Sequence, residues 1–124
     1  MRLPQYDQKL ELWPGDCYVL STLLARYVQQ RVEQASVGGS LSRTEALSVK
    51  PATRLCLRLL RLHNVDAHMG RKKTRPVRVE YDELLVLNQA VRHGDYPGEW
   101  ADKVQRLLGL VDQKSLSLTP FFSR

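Results

Sequence analysis

The feature that most constrains the fold is a leucine-rich stretch near the middle of the chain. Residues 51–64 read PATRLCLRLLRLHN, and at about 100° per residue their apolar side chains cover most of the circumference of a helix. Arg54, Arg58 and Arg61 fall within one narrow stripe of that helix. A helix that is apolar on most sides must be buried by neighbouring elements. The sequence therefore predicts a largely buried helix with one arginine edge facing solvent.

Other segments with helical periodicity surround this one. Residues 17–35 carry one apolar and one polar face, after a WPGD turn and before the glycines of VGGS. The pattern SRTE (42–45) matches a capping box and predicts a short helix that ends before Pro51. Residues 82–91 and 99–111 show the same helical period. We therefore expect one small, mainly α domain, residues 1–124, with about five helices.

Three short segments alternate apolar and polar residues, which is the pattern of a half-buried strand. These segments are KLELW (9–13), VRVEY (77–81) and SLSLT (115–119). A small sheet made from them is the minor β element that the pattern allows. The mainly helical prediction depends on longer segments than these.

The excess positive charge of the chain is confined to one segment. The net charge is +6, but residues 50–78 alone carry nine basic side chains and one acidic side chain, for a net charge of +8. Such a focused basic region suits a polyanion or an acidic protein surface. The first residues lack the apolar core of a secretory signal, and no apolar run is long enough to cross a bilayer. We expect an intracellular protein, cytoplasmic or associated with the nucleoid.

Residues 42–62 combine a short capped helix, a tight break and a second helix that begins at Pro51. The run VKPAT resembles the start of the recognition helix in helix-turn-helix repressors. The resemblance implies a helix whose exposed start reads base edges and whose later residues meet phosphates. The residues in these roles would be Thr53, Arg54, Arg58 and Arg61. Because the break contains no glycine and Leu57 lies beside the stripe, an amphipathic hairpin that buries its leucines is the alternative.

The stretch HMGRKKTRPVRVEYDE (68–83) follows directly. With its flanks it resembles the wing after the recognition helix in winged-helix proteins, in which two extended segments surround a basic turn. Gly70 would permit the turn, and Pro76 would lie at the edge or the start of a strand. The resemblance implies phosphate contacts from the basic side chains of this stretch, Arg71, Lys72, Lys73, Arg75 and Arg78. A solvated linker is the alternative.

Residues suited to metal or catalytic chemistry are few. His63, Asp66 and His68 are close in sequence, but the first lies on an apolar helix face and the last lies beyond the predicted helix end. Asp82 and Glu83 point to different helix faces, so they make a poor acid–base pair. The sequence has no glycine-rich phosphate loop and no G-x-S-x-G motif. We expect no metal site, no cofactor and no enzymatic activity.

Two cysteines, Cys17 and Cys56, fall inside apolar helical patterns. Isolated cysteines in such positions behave as small apolar core residues, and the absence of a secretory signal favours reduced thiols. We predict two free core thiols. A disulfide between them is the alternative.

The basic segment leads to two hypotheses about function. The first is a small non-enzymatic regulator that binds nucleic acid, in particular duplex DNA, through the basic helix and loop of residues 50–78. The second is a protein-binding module or inhibitor that docks its basic face on a larger acidic partner. Phe121 and Phe122, near the end of the sequence, would then be apolar anchors or a homodimer contact. If the tail instead folds back, these rings cap the core. Neither hypothesis involves a membrane or a small-molecule substrate.

Overall fold

The part of the chain that the structure describes contains four α-helices and a two-stranded β-ribbon. In this computed structural model the backbone of residues 8–38 and 43–122 is described, with the side chains of residues 8–34 and 49–114. The prediction of a mainly helical fold with a minor β element is confirmed. In chain order the elements are β1 (Gln8–Leu12), α1 (Asp16–Gly38), α2 (Arg43–Met69), β2 (Arg75–Val79), α3 (Tyr81–His93), a 3-10 turn (Gly98–Trp100) and α4 (Ala101–Phe122).

Helix α2 is a single helix where the sequence predicted two, which reduces the number of described helices to four. The predicted break before Pro51 is wrong, because α2 continues through this residue. A proline inside a helix removes one N–H donor and costs about 3 kcal/mol. Around this position α2 buries Pro51, Ala52 and Leu55, and burial of a leucine alone contributes roughly 1.5–3 kcal/mol. The turn required by the helix-turn-helix resemblance is therefore not formed, while Ser42 of the predicted capping box lies outside the described residues.

The end of α2 explains a second difference from the prediction. Gly70 has a φ of +65°, the left-handed region that favours glycine. The Arg71 N–H donates to the Asp66 carbonyl at 3.0 Å and the Gly70 N–H donates to the Ala67 carbonyl at 3.4 Å. This pair of bonds is a Schellman motif, so the predicted turn at Gly70 is confirmed. Because residues 65–69 are still helical, the prediction of an extended segment before the basic turn is wrong.

The β-ribbon joins two segments that are far apart in sequence. Strands β1 and β2 pair antiparallel, with Lys9 opposite Arg78 and Leu10 opposite Val77. Alternate residues face the core or the solvent, so strands near 9–13 and 77–81 are confirmed with slightly shifted bounds. The predicted strand at 115–119 is wrong, since these residues belong to α4. Adding a residue to an existing helix gains a hydrogen bond at little cost, which a short alternating pattern does not overcome.

The hydrophobic core lies between the inner face of the ribbon and the four helices. Helix α1 packs against α2 and α3, and α3 packs against α4. In the described ranges, 8–38 and 43–122, no helix combines the length and apolarity needed to cross a membrane. The largest apolar side chains with almost no exposure are Leu10, Leu12, Leu20, Leu23, Leu24, Leu55, Leu59, Val79, Leu84, Leu87 and Leu107.

The two cysteines are free thiols at this core, as predicted. Burial is the main reason that the pKa of Cys17 is raised to about 11, and the nearby carboxylates of Asp66 and Asp16 raise it further. Cys56 is half-buried, its thiol donates to the Ser21 carbonyl at 3.3 Å, and burial raises its pKa as well. Both thiols therefore stay protonated and inert near neutral pH.

Candidate nucleic-acid interface

Glu83, a fully buried carboxylate, organises the start of α3. It has no solvent exposure, and its Oε1 accepts the Glu80 N–H at 3.0 Å. This is one half of the capping box that satisfies a free N–H at the beginning of a helix. A buried carboxylate is tolerated only when its charge is also paired.

Two arginines of α2 supply that pairing. Arg58 donates to both carboxylate oxygens of Glu83, at 2.8 Å and 3.1 Å, and Arg54 donates through Nε at 3.0 Å. Arg54 also contacts the more exposed carboxylates of Glu80 and Asp82, each at 3.1 Å. We call these five residues the Glu83 cluster. It joins the middle of α2 to the first turn of α3.

The hydrogen bonds around Glu83 favour its ionised form. Burial by itself raises the pKa of Glu83, but hydrogen bonds from Arg58, from the Glu80 N–H and from Arg54 outweigh burial and leave the pKa below its ordinary value. The hydrogen bond to Glu83 is the main reason that the pKa of Arg54 is raised. The cluster is therefore a charged network at neutral pH. Asp82 and Glu83 act here as partners of arginine.

Two further residues that the sequence assigned to nucleic-acid contacts have internal partners. Arg75 donates to Asp66 at 2.8 Å, with 23% of the arginine and 10% of the aspartate side chain exposed. The hydroxyl of Thr53 is exposed but donates to the Val49 carbonyl, one turn earlier in α2, at 2.9 Å. The ion pair of Arg75 ties β2 to the last turns of α2.

The remaining basic side chains gather at the ribbon. Lys9 and Arg78 lie opposite each other on its exposed outer face, and the exposed side chains of residues 71–73 lie on the loop that enters β2. The acidic side chain described on that outer face is Glu11, which lies opposite Pro76. We call this surface the cationic ribbon and define it by five residues: Lys9, Arg71, Lys72, Lys73 and Arg78.

The predicted interface of helix stripe and loop is only partly brought together. The α2 axis rises about 22 Å between Arg54 and Met69, so the Glu83 cluster lies far from the loop that follows α2. Arg58 does reach the ribbon, where its Nη2 donates to the Arg78 carbonyl at 2.7 Å and so supports the strand. Arg61 is exposed, and no ion pair to it is found among the described residues. The structure thus separates arginines that have carboxylate partners from the loop lysines, for which none is found among the described residues.

Sequence reasoning missed Lys9, which is the first residue of the chain to join the cationic ribbon. The alternation in KLELW places Lys9 on the polar face of a strand, and that signal was present. Its position opposite Arg78 depends on which strand pairs with β1, and no local pattern contains this information. Asp16 ends the WPGD turn, where the sequence predicts a helix N-cap, and accepts the Trp13 N–H at 2.7 Å, but its ion pair with Arg106 at 2.6 Å joins residues 90 positions apart and left no local signal.

The candidate metal ligands have ordinary surroundings, and the side chains of the two C-terminal phenylalanines lie outside the described residues. The His63 ring packs against Tyr18 at a centroid distance of 5.2 Å. Among the described residues, no group of three His, Cys, Asp or Glu side chains is placed to hold a metal ion. Phe121 and Phe122 close α4, and their side chains lie outside the described part of the structure.

Comparison with models of known protein families, with curated proteins and with solved structures finds no match for this chain.

Proposed function

We propose that the protein is a small non-enzymatic regulator that binds nucleic acid, in particular duplex DNA, through the cationic ribbon. The observation that carries this proposal is the exposure of five cations on the two strands and on the loop that enters β2: Lys9, Arg71, Lys72, Lys73 and Arg78. Nucleic-acid affinity is dominated by neutralisation of phosphates by lysine and arginine. Such a surface supplies affinity with little choice of sequence.

The size of the cationic ribbon suits a nucleic-acid backbone. Arg78 lies three strand positions, about 10 Å, from the first residue of β2, and the loop of residues 71–73 extends the surface beyond that end of the strand. Duplex DNA carries one charge per roughly 1.7 Å of its axis. Several phosphates can therefore face these side chains at once.

The test compares two pairs of charges from the same stretch of sequence. We expect Lys72→Gln/Lys73→Gln to weaken binding to a short duplex and to reduce the slope of log K against log salt by about one per lysine. The matched control Lys50→Gln/Arg61→Gln removes two exposed α2 charges from the same basic segment but none from the cationic ribbon. It should retain most of the affinity. Equal losses in both variants, or no binding at low salt, contradict the proposal.

A second candidate function, docking on an acidic protein, is favoured by one observation. The exposed side of α2 carries Leu57 and Leu60, which are 58% and 40% exposed, next to Arg61. Apolar side chains beside a cation are typical of protein interfaces. In this hypothesis Leu57→Ser/Leu60→Ser or Phe121→Ala/Phe122→Ala abolishes association with a purified acidic partner and leaves duplex binding unchanged. Loss of duplex binding in these variants argues against a separate protein-docking role.

A further inference from the structure

A cleft of about 150 Å³ lies between the second half of α1 and the last turn of α3. It is distinct from the cationic ribbon, because α3 begins beside β2 and rises about 18 Å from Tyr81 to His93. The cleft is lined by residues from both helices and from the start of the loop after α3. None of the motifs in the sequence pointed to it.

The floor of the cleft is apolar and closely packed. It contains the buried side chains of Leu23 and Ala90. Gly94 closes the floor: a Cβ at this position would lie 2.4 Å from the Ala90 carbonyl oxygen and 3.0 Å from Leu23 Cδ2. Any larger residue would push the loop away from α1. The floor therefore depends on a glycine at this position.

The rim of the cleft is cationic, and no ion pair to its two arginines is found among the described residues. The Arg31 guanidinium carbon lies 5.0 Å from the centre of the Tyr27 ring, a cation–π contact that orients it. Arg26 donates through Nη1 to the Asp95 backbone carbonyl, which holds it between α1 and the following loop. Neither contact neutralises the charge of the arginine. His93 lies at the same rim.

The remaining lining supplies neutral hydrogen-bond donors. Gln30 and Gln89 are among the residues around the cleft, and none of the described lining residues is acidic. The nearby Glu33 accepts a hydrogen bond from Gln29 at 3.1 Å, and neither residue lines the cleft. Two arginines and several side-chain amides therefore surround an apolar floor, and the described lining offers no carboxylate to compete for them.

We propose that this cleft binds a small organic anion, a carboxylate or phosphate monoester attached to a short apolar or aromatic group. Arginine and amide donors form strong charge-assisted hydrogen bonds to such oxygens. The apolar floor accepts the rest of the molecule, as in most small-molecule sites. A cavity of about this volume can hold a benzene ring, so the ligand is no larger than a substituted ring.

The test uses three probes of one shape: benzoate, phenyl phosphate and the neutral benzamide. Titration followed by amide chemical shifts should show benzoate or phenyl phosphate perturbing residues around the cleft, with a dissociation constant of about 1 mM or tighter. Benzamide should bind at least about tenfold more weakly, because it lacks the charge that the arginines recognise. The two anions separate carboxylate from phosphate recognition.

Two arginine substitutions complete the test. Arg31→Gln should weaken the binding of whichever anion has the lower dissociation constant by about tenfold, since one charge-assisted hydrogen bond is lost. The affinity for benzamide should stay unchanged. Arg61→Gln is the charge-matched control on α2, because Arg61 is exposed and is not among the residues that line the cleft, and it should change neither affinity. Circular dichroism checks that both variants are folded. Equal affinities for benzoate and benzamide, no shifts at the cleft, or equal losses in the two variants overturn the proposal.

Discussion

Arg54 and Arg58 on α2 and Lys72 and Lys73 on the following loop belong to the same basic segment of the sequence, but their surroundings in the fold differ. The two arginines surround the buried Glu83 carboxylate at 2.8–3.1 Å. The two lysines are exposed, and no ion pair to them is found among the described residues. The first group links α2 to α3, and the second group is available to an external anion.

The difference between these groups shows that charge confined in sequence is not necessarily confined in space. The acids of the Glu83 cluster follow the basic segment directly in the chain, at positions 80, 82 and 83. Folding brings them onto the arginines of α2, whereas the loop after α2 receives no such partners in the described structure. Net charge per segment therefore overstates the positive charge available on α2.

The largest expected effect comes from removing both arginines of the Glu83 cluster. Arg54→Met/Arg58→Met should lower the free energy of unfolding by about 3–5 kcal/mol, because it leaves a buried carboxylate without a counter-ion. Lys72→Met/Lys73→Met, the matched change on the cationic ribbon, should alter it by less than about 0.5 kcal/mol. Urea denaturation of the two variants measures both values.

A third variant sharpens that comparison. Adding Glu83→Leu to Arg54→Met/Arg58→Met should recover most of the lost stability, since an apolar replacement for a buried ion pair is often neutral or stabilising. Similar stability losses for the α2 pair and the loop pair would mean that the Glu83 cluster does not support the fold.

Acidic pH should weaken the Glu83 cluster and spare the cationic ribbon. The folded-state pKa of Glu83 is lowered: burial opposes this, but the hydrogen bonds from Arg58, Glu80 N–H and Arg54 outweigh it. At low pH the unfolded chain therefore binds the proton more readily than the folded chain. The contribution of the ionised Glu83 to stability is complete above the ordinary glutamate pKa of about 4.3. It is lost as pH falls through the lower folded-state value.

Stability measured between neutral and acidic pH should therefore fall more steeply for the wild type than for Glu83→Gln, which carries no titrating group at this position. We expect acidification to lower the free energy of unfolding by less than Arg54→Met/Arg58→Met does, because a protonated Glu83 still accepts hydrogen bonds. Parallel pH profiles for the two proteins would contradict the assignment.

The third prediction concerns Gly70, which lies between the arginines of α2 and the lysines of the loop that follows it. Gly70→Ala should destabilise the fold by about 1–2 kcal/mol, because φ is +65° and an L-residue is strained there. A Cβ at this position meets no atom within 4 Å, so the effect comes from the backbone alone. Gly109→Ala in α4, also free of contacts, should instead stabilise by up to about 1 kcal/mol. Thermal unfolding of both variants tests the opposite signs.

The smallest expected effect is at the cross-strand pair of the ribbon. Lys9→Glu replaces the like-charge pair with Arg78 by an opposite-charge pair, which should raise stability by roughly 0.2–1 kcal/mol. The same change should weaken duplex binding, since it places an acid on the cationic ribbon. Lys9→Gln is the control, and its stability and its duplex affinity should both lie between those of the wild type and those of Lys9→Glu. If Lys9→Glu improves stability and leaves duplex affinity intact, Lys9 is not part of the interface.

Local patterns in the sequence predicted the helices with long, strong periodicity and the inner faces of both strands. The turn at Gly70 was predictable because glycine is the residue that adopts a left-handed φ at little cost. The break before Pro51 was predicted wrongly, since the local penalty of a proline is smaller than the burial around it. The strand predicted from the alternation at 115–119 was also wrong, because α4 continues through these residues.

The candidate interface was only partly predictable. The loop lysines were found from the basic run alone, whereas Lys9 required knowledge of the pairing between β1 and β2. The cleft between α1 and α3 left no sequence signal, because its arginines, its floor and Gly94 come from separate segments that meet only in the folded chain.

The sequence by itself determined the helical class, the faces of the two strands, the turn at Gly70 and the segment that holds the excess charge. These properties depend on residues that are neighbours along the chain. Only the tertiary structure decided which cations are neutralised, because an ion pair such as Arg58 with Glu83 joins residues 25 positions apart at 2.8 Å. Packing of α2 against α3 creates that distance, whereas no ion pair to Lys72 or Lys73 is found among the described residues.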